Sequence, residues 1–94
     1  MERIVIKLSG DIDHHTAPGL KRTMDKRFAE ANPKQVILDM GGVGFMDSSG
    51  IGLILGRYRD WKKKGAVIFV KNVRGQVGRV FTASGLFQVI KRVD

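Results

Sequence analysis

The chain contains no cysteine. That excludes disulfide staples, thiolate nucleophiles and cysteine-ligated metals. It has a single tryptophan and a single tyrosine. Most of its aromatics fall on apolar stripes or loop anchors, so it lacks the aromatic-and-basic platform that nucleic acid calls for. No apolar run approaches the roughly 20 residues of a membrane-spanning helix. Met1-Glu2-Arg3-Ile4 begins directly on strand-like sequence, which predicts no signal peptide and a cytoplasmic location. Acidic residues are also scarce: nine, against 17 lysines and arginines, for a net charge of +8. Such a balance suits either a polyanionic partner or solvated helix faces. The basic residues are dispersed, which favours solvated faces. The densest run, Lys62-Lys63-Lys64, falls where a helix should end and cations suit its dipole.

What is present suits one domain over residues 1–94. Ile4, Ile6 and Leu8 alternate with Val5 and Lys7, as in a strand that stops at Ser9-Gly10. Thr16 is placed to cap a helix with Ala17, Leu20, Met24, Phe28 and Ala31 on one stripe, and Asn32-Pro33 ends it. Val36–Met40 reads as a second strand, followed by a flexible Gly41-Gly42-Val43-Gly44 link. Asp47 can cap the next helix, whose buried stripe is Ile51, Ile54, Leu55, Tyr58 and Trp61, with Gly65 as terminator. On that wheel Leu53 lies opposite the stripe and faces solvent, while Gly52 and Gly56 permit close packing. Ala66–Val70 is continuously apolar, the pattern of a strand covered on both faces. A shorter helix carries Val77, Val80 and Phe81 and ends at Ser84-Gly85, though Gly75 and Gly78 weaken it. Phe87–Val93 reads as a last, edge strand. The order β-α-β-α-β-α-β defines an α/β domain with a largely parallel sheet and right-handed crossovers.

Loops that follow parallel strands emerge at one sheet edge, where ligands usually bind. Three segments should therefore be neighbours: Asp11-Ile12-Asp13-His14-His15, the loop into Ser48, and Lys71-Asn72-Val73-Arg74. At that edge Ser48 and Ser49 open a helix, among unpaired backbone N–H groups and the positive dipole end, where a phosphate is tolerated. The bland alternative is helix capping by Asp47 and the serines. A serine nucleophile is disfavoured. G-x-S-x-G is absent, and no third group orients His14 or His15. Metal binding by Asp11, Asp13, His14 and His15 is disfavoured because adjacent residues rarely converge on one ion. The nucleotide-binding glycine patterns are missing too.

Three blocks together resemble a STAS domain. They are Gly10-Asp11-Ile12-Asp13-His14-His15-Thr16-Ala17, Phe45 to Tyr58 with Asp47-Ser48-Ser49-Gly50 at its centre, and Ser84-Gly85-Leu86-Phe87. More narrowly the chain is similar to bacterial anti-sigma factor antagonists of the kind that act in sporulation. The resemblance implies a small, mixed but mostly parallel sheet with helices packed on it. It implies no enzyme activity and no cofactor. The partner would be an anti-sigma factor that is also a GHKL-type serine kinase and brings the ATP and magnesium. The unphosphorylated chain would bind it and release a sigma factor. Phosphate on Ser48 would end the binding, and a PP2C-type phosphatase would restore it. Asp11, Asp13, His14, Asp47, Ser48, Ser49, Ile51, Gly52 and Leu53 become candidate partner contacts, with neither nucleic acid nor membrane engaged directly. The alternative within the same resemblance is a STAS scaffold in a stress-signalling or lipid-transport complex. Relatives of this kind usually carry a further strand before Met1 and often a helix after Val93. Their reduction here predicts an open sheet edge or a partly bare sheet.

Overall fold

The computed structural model describes residues 2–93. Its elements are β1 (Arg3–Ser9), α1 (Ala17–Ala31), β2 (Gln35–Gly42), α2 (Ser48–Lys63), β3 (Val67–Lys71), α3 (Gly75–Ser84), a 3-10 turn (Leu86–Gln88) and β4 (Lys91–Arg92). The strands lie side by side in chain order, β1-β2-β3-β4. Every pairing among the described residues is parallel. Right-handed crossovers that always advance in one direction set every helix on the same face of the sheet.

Burial follows that winding. Ile4, Ile6 and Leu8 of β1, Val36, Leu38 and Met40 of β2, and Ile68 and Val70 of β3 point into the core. Their alternates Val5, Ile37 and Phe69 are only half-buried, and Val67 is 52% exposed. The expectation that Ala66–Val70 is covered on both faces is therefore corrected: a sheet wound one way has helices on one side only. Beneath them α1 packs on β1 and α2, and α2 packs on β3 and α3. Phe28 and Trp61 stack between α1 and α2 with ring centroids 4.7 Å apart and planes 7° from parallel.

Three further expectations need correction. Gly41 and Gly42 are not a flexible link but the end of β2, where a bulge shifts the register from Lys7↔Asp39 to Ser9↔Gly42. A side chain at Gly42 would meet the Leu8 carbonyl oxygen at 3.0 Å, so the close approach of β1 calls for glycine. Thr16 does not cap α1 by itself. The Asp13 carboxylate accepts from the Thr16 N–H at 3.0 Å, and the Thr16 hydroxyl accepts from the Asp13 N–H at 3.0 Å. That reciprocal capping box sits one turn before the helix proper. Finally, Phe87–Val93 is mostly not strand. Gly85, at φ 79°, ends α3 and leads into the 3-10 turn, leaving two residues for β4. No helix among the described residues is long and apolar enough to cross a membrane.

Candidate functional site

The three loops predicted to meet do meet. The Ile12 N–H donates to the Phe45 carbonyl at 2.9 Å, and the Asp47 N–H donates to the Ile12 carbonyl at 3.1 Å. The first loop is thus stitched to the loop before Ser48. Just beyond the third stands Gln76, in the first turn of α3. Its amide accepts from the Met46 N–H and donates to the Met46 carbonyl, both at 2.9 Å. The Asn72 amide ties the same edge to β2 through the Asp39 carboxylate, at 2.9 Å. Ile12 and Met46 are fully buried beneath this network. The backbone of the segment that presents Ser48 is accordingly held from one side by the Ile12 backbone and from the other by the Gln76 side chain.

Asp47 caps α2. Its backbone is extended and its carboxylate accepts from the Ser49 N–H at 2.8 Å. Ser48 is exposed, and its hydroxyl has no hydrogen-bond partner among the described residues. Capping therefore needs Asp47 and leaves the Ser48 hydroxyl unengaged. Gly50 explains how the helix can start here. A Cβ at that position would lie 2.1 Å from Cγ and 2.6 Å from Sδ of Met46. The first turn can only descend onto the buried Met46 because position 50 has no side chain.

Two grooves flank this helix start. One, between α2 and α3, is lined by Phe45, Ser48, Ile51, Val80 and Ala83. Phe45, 42% exposed, stands at its rim. The other, between α1 and α2, has a volume of about 420 Å³ and is lined by Ala17, Pro18, Gly52, Leu53 and Gly56, with Ser49 and His14 at the end nearer the loops. Ser48 and Ser49 thus look out on different sides of α2. The expectation that Gly52 and Gly56 allow close packing within the fold is corrected: a Cβ at either would meet nothing within 4 Å. Two open glycines in one helix cost it about 1 kcal/mol each relative to alanine.

Leu53 is corrected as well. It is 7% exposed and belongs to the core, at the floor of the α1–α2 groove. The buried stripe of α2 runs through Gly50, Leu53, Ile54, Arg57 and Trp61, with Ile51, Leu55 and Tyr58 only partly covered. Arg57 is the one buried charge among the described residues, 4% exposed. Its Nη2 donates to the Asp60 carboxylate at 2.7 Å. Its Nε lies 3.1 Å from Oδ1 of Asp25 on α1, close enough for an ion pair, but that N–H has no aligned hydrogen-bond acceptor.

The remaining candidates are distributed by role. Asp11 is exposed, and its carbonyl accepts from the Thr16 hydroxyl at 2.8 Å. Asp13 is held below the usual carboxylate range by the Thr16 N–H, aided by the His15 N–H. His14 and His15 are exposed with rings 4.0 Å apart. Neither bonds to Ser48, and no cluster of metal-ligating side chains occurs among the described residues. Sequence reasoning missed Gln76 and Arg57. A charge recurring on an otherwise apolar helical stripe is the signal that could have found Arg57; nothing in the sequence singles out Gln76.

With fold and site in place, the comparisons agree. Residues 2–94 match the STAS domain, and the chain belongs to that family. It is 36% identical over 91 residues to an anti-sigma F factor antagonist of Paenibacillus polymyxa, covering 97% of this chain and 78% of that one. Its fold is similar to that of the anti-sigma factor antagonist SpoIIAA in its unphosphorylated form, with a TM-score of 0.80 at 30% identity over 99% of this chain and 81% of that one. The Bacillus cell fate determinant SpoIIAA in the phosphorylated form is also similar, with a TM-score of 0.71 at 29% identity over 99% and 84%.

Proposed function

We propose that this chain is an anti-sigma factor antagonist, a protein that acts by binding, and that phosphate on Ser48 switches the binding off. The observation that carries this reading is the state of Ser48. It is exposed at the start of a rigidly mounted helix, and its hydroxyl is unengaged because Asp47 does the capping. A serine needed only for the fold would be bonded into it. The similarity to a protein known in both phosphorylation states supports the same reading.

The groove at Ser48 offers one ionisable side chain, Asp47, and that carboxylate is engaged by the Ser49 N–H. This chain supplies a hydroxyl and a docking surface. The base, the nucleotide and the magnesium would come from the partner, an anti-sigma factor with GHKL-type serine kinase activity. A phosphoryl group on Ser48 Oγ brings nearly two negative charges beside Asp47. The α2 dipole offsets part of the repulsion, so the fold tolerates the modification. A partner packed on Ser48, Phe45 and Ile51 would not tolerate buried, unpaired charge. A PP2C-type phosphatase would reverse the step. The test mixes the protein with ATP, magnesium and the GHKL-type anti-sigma factor of its own genome, then maps phosphate by mass spectrometry. Phosphate on Ser48, tight binding by Ser48→Ala and at least about 100-fold weaker binding by Ser48→Asp are expected. Equal affinity of the two variants would refute the switch.

A further inference from the structure

The lysines and arginines are spread along the chain, but the carboxylates are not. Between Trp61 and Val93 stand eight lysines and arginines with neither aspartate nor glutamate, and the rest of the chain is balanced, nine cations against nine carboxylates. The fold gathers part of that surplus in one place. A groove of about 430 Å³, flanking α3 on the side away from Ser48, is lined by Arg74, Arg79 and Arg92 together with Gly75, Gly78 and Phe87, and by no carboxylate. Arg74 and Arg79 are exposed, and neither side chain makes an ion pair or hydrogen bond among the described residues. Arg92 is held in place: its Nη2 donates to the Val73 carbonyl at 2.8 Å, and its guanidinium lies over the Phe87 ring, 4.8 Å from the centroid. The carboxylate at the neighbouring end of β2, Asp39, is taken up by the Asn72 amide and the Gly41 N–H. Two unpaired cations beside a third like charge add only repulsion within the fold, and an anion from outside would relieve it.

We propose that this groove receives an acidic segment of the anti-sigma factor, whose carboxylates pair with Arg74, Arg79 and Arg92. The inference rests on the functional reading above and adds to it a second contact region and its chemistry. Helix α3 joins the two regions. One side of it places Gln76 and Val80 in the groove of Ser48, the other places Gly75 and Arg79 in the arginine groove, and Ala83 lines both. A partner seated on Ser48 therefore has one helix to cross, about 10 Å, to reach the arginines. Forked guanidinium groups pair with carboxylates through two parallel hydrogen bonds, which fixes register as well as adding energy. Nucleic acid fits this groove poorly. It calls for an aromatic face on which bases stack, and Phe87 lies between Arg92 and the Phe81 ring. A second copy of the chain would bring like charges together. The arginines thus steer and select the partner, while Ser48 releases it.

The experiment titrates the full chain and its variants with the anti-sigma factor of the same genome by calorimetry, over a series of salt concentrations. Arg74→Glu combined with Arg79→Glu should bind at least about 30-fold more weakly and melt as wild type does, because neither side chain bonds to the fold. Its affinity should also fall less steeply with salt. Arg74→Gln combined with Arg79→Gln, which removes the charges without reversing them, should lose at least about fivefold. Lys34→Glu combined with Lys63→Glu makes the same change in net charge at the opposite end of the sheet, and should stay within about threefold of wild type at physiological salt. Equal losses in the two charge-reversed variants would reduce the effect to net charge and overturn the groove. Wild-type affinity of the Arg74→Glu, Arg79→Glu variant alongside weak binding by Ser48→Asp would also overturn it, and would leave the phosphate switch standing. Absence of any complex, or wild-type affinity of Ser48→Asp, would overturn the functional reading and this inference with it. Retardation of DNA or RNA by the wild-type chain, abolished in the Arg74→Glu, Arg79→Glu variant, would assign the groove to nucleic acid and overturn the proposal.

Discussion

The same substitution at two glycines of α2 should have opposite effects. At Gly52 an added Cβ meets nothing within 4 Å. Alanine there should stabilise the protein by up to about 1 kcal/mol through helix propensity and reduced freedom of the unfolded chain. At Gly50 the new methyl would sit 2.1 Å from Met46 Cγ and 3.1 Å from Ile12 Cγ2. Both neighbours are fully buried, and Met46 is pinned at its backbone by Gln76. The thioether must leave its rotamer or the first turn of α2 must lift. Overpacking of this kind costs about 1–3 kcal/mol. Propensity gains largely cancel between the two variants, so Gly50→Ala should fall below Gly52→Ala by about 1–3 kcal/mol. For a domain of this size that corresponds to roughly 4–8 °C in melting temperature per kcal/mol. Urea unfolding of both variants, with slopes compared to confirm an unchanged two-state transition, measures the gap. Equal midpoints would show that Met46 yields freely and that the Ser48 loop is not held as described.

Gln76→Ala removes both side-chain hydrogen bonds to Met46 and should cost about 1–3 kcal/mol in urea unfolding. Hydrogen exchange at Met46 and Asp47 should rise before that of the sheet does. Acid should weaken the fold in a defined window. The Asp60 carboxyl is lowered by its hydrogen bond from Arg57, Asp39 by the Asn72 amide and then the Gly41 N–H, and Asp13 by the Thr16 N–H. A depressed folded value means that the folded state binds protons less readily than the unfolded one. The stability these groups contribute is therefore complete above the ordinary value of 3.8 and is lost as pH falls through their lowered values. Unfolding midpoints should be flat in these groups near neutrality and decline below about pH 4, with Asp60→Asn reducing the decline. A flat profile down to pH 3 would contradict the three hydrogen-bonded carboxylates.

Much of this was legible in residue pattern. Alternation in Ile4-Val5-Ile6-Lys7-Leu8 named the inward face of β1, and Asp47 before two serines marked the cap of α2. The meeting of three distant loops followed from strand direction alone. What failed did so for one reason: the deciding partner lies far away in the chain. In the sequence the stripe of α2 reads as Ile51, Ile54, Leu55, Tyr58 and Trp61; Ile54 and Trp61 belong to it, but two of its other members, Gly50 and Arg57, do not read as apolar. Gly50 is buried because Met46 lies under it, and Arg57 because α1 supplies Asp25. Leu53 was turned outward by the same misplaced centre. The one-sided cover of β3 depends on strand order, which local periodicity does not carry. The exposure of Ser48 follows from local capping chemistry alone, because Asp47 takes the cap.

The sequential order of the sheet has a consequence for how the molecule is made. Each strand to leave the ribosome docks beside the one before it, so no partly built sheet waits for a later segment to be inserted between strands already paired. Contacts close progressively, which keeps loop closures short and folding fast for a parallel sheet. Ser48 and its mounting loops belong to the first two strand–helix units together with Gln76 at the head of the third. The surface around Ser48 is therefore complete when α3 docks, and the two residues of β4 serve as a closing stitch through Phe69 and Val70. Truncations that remove β4 should loosen that last edge while the Ser48 loop keeps its hydrogen bonds.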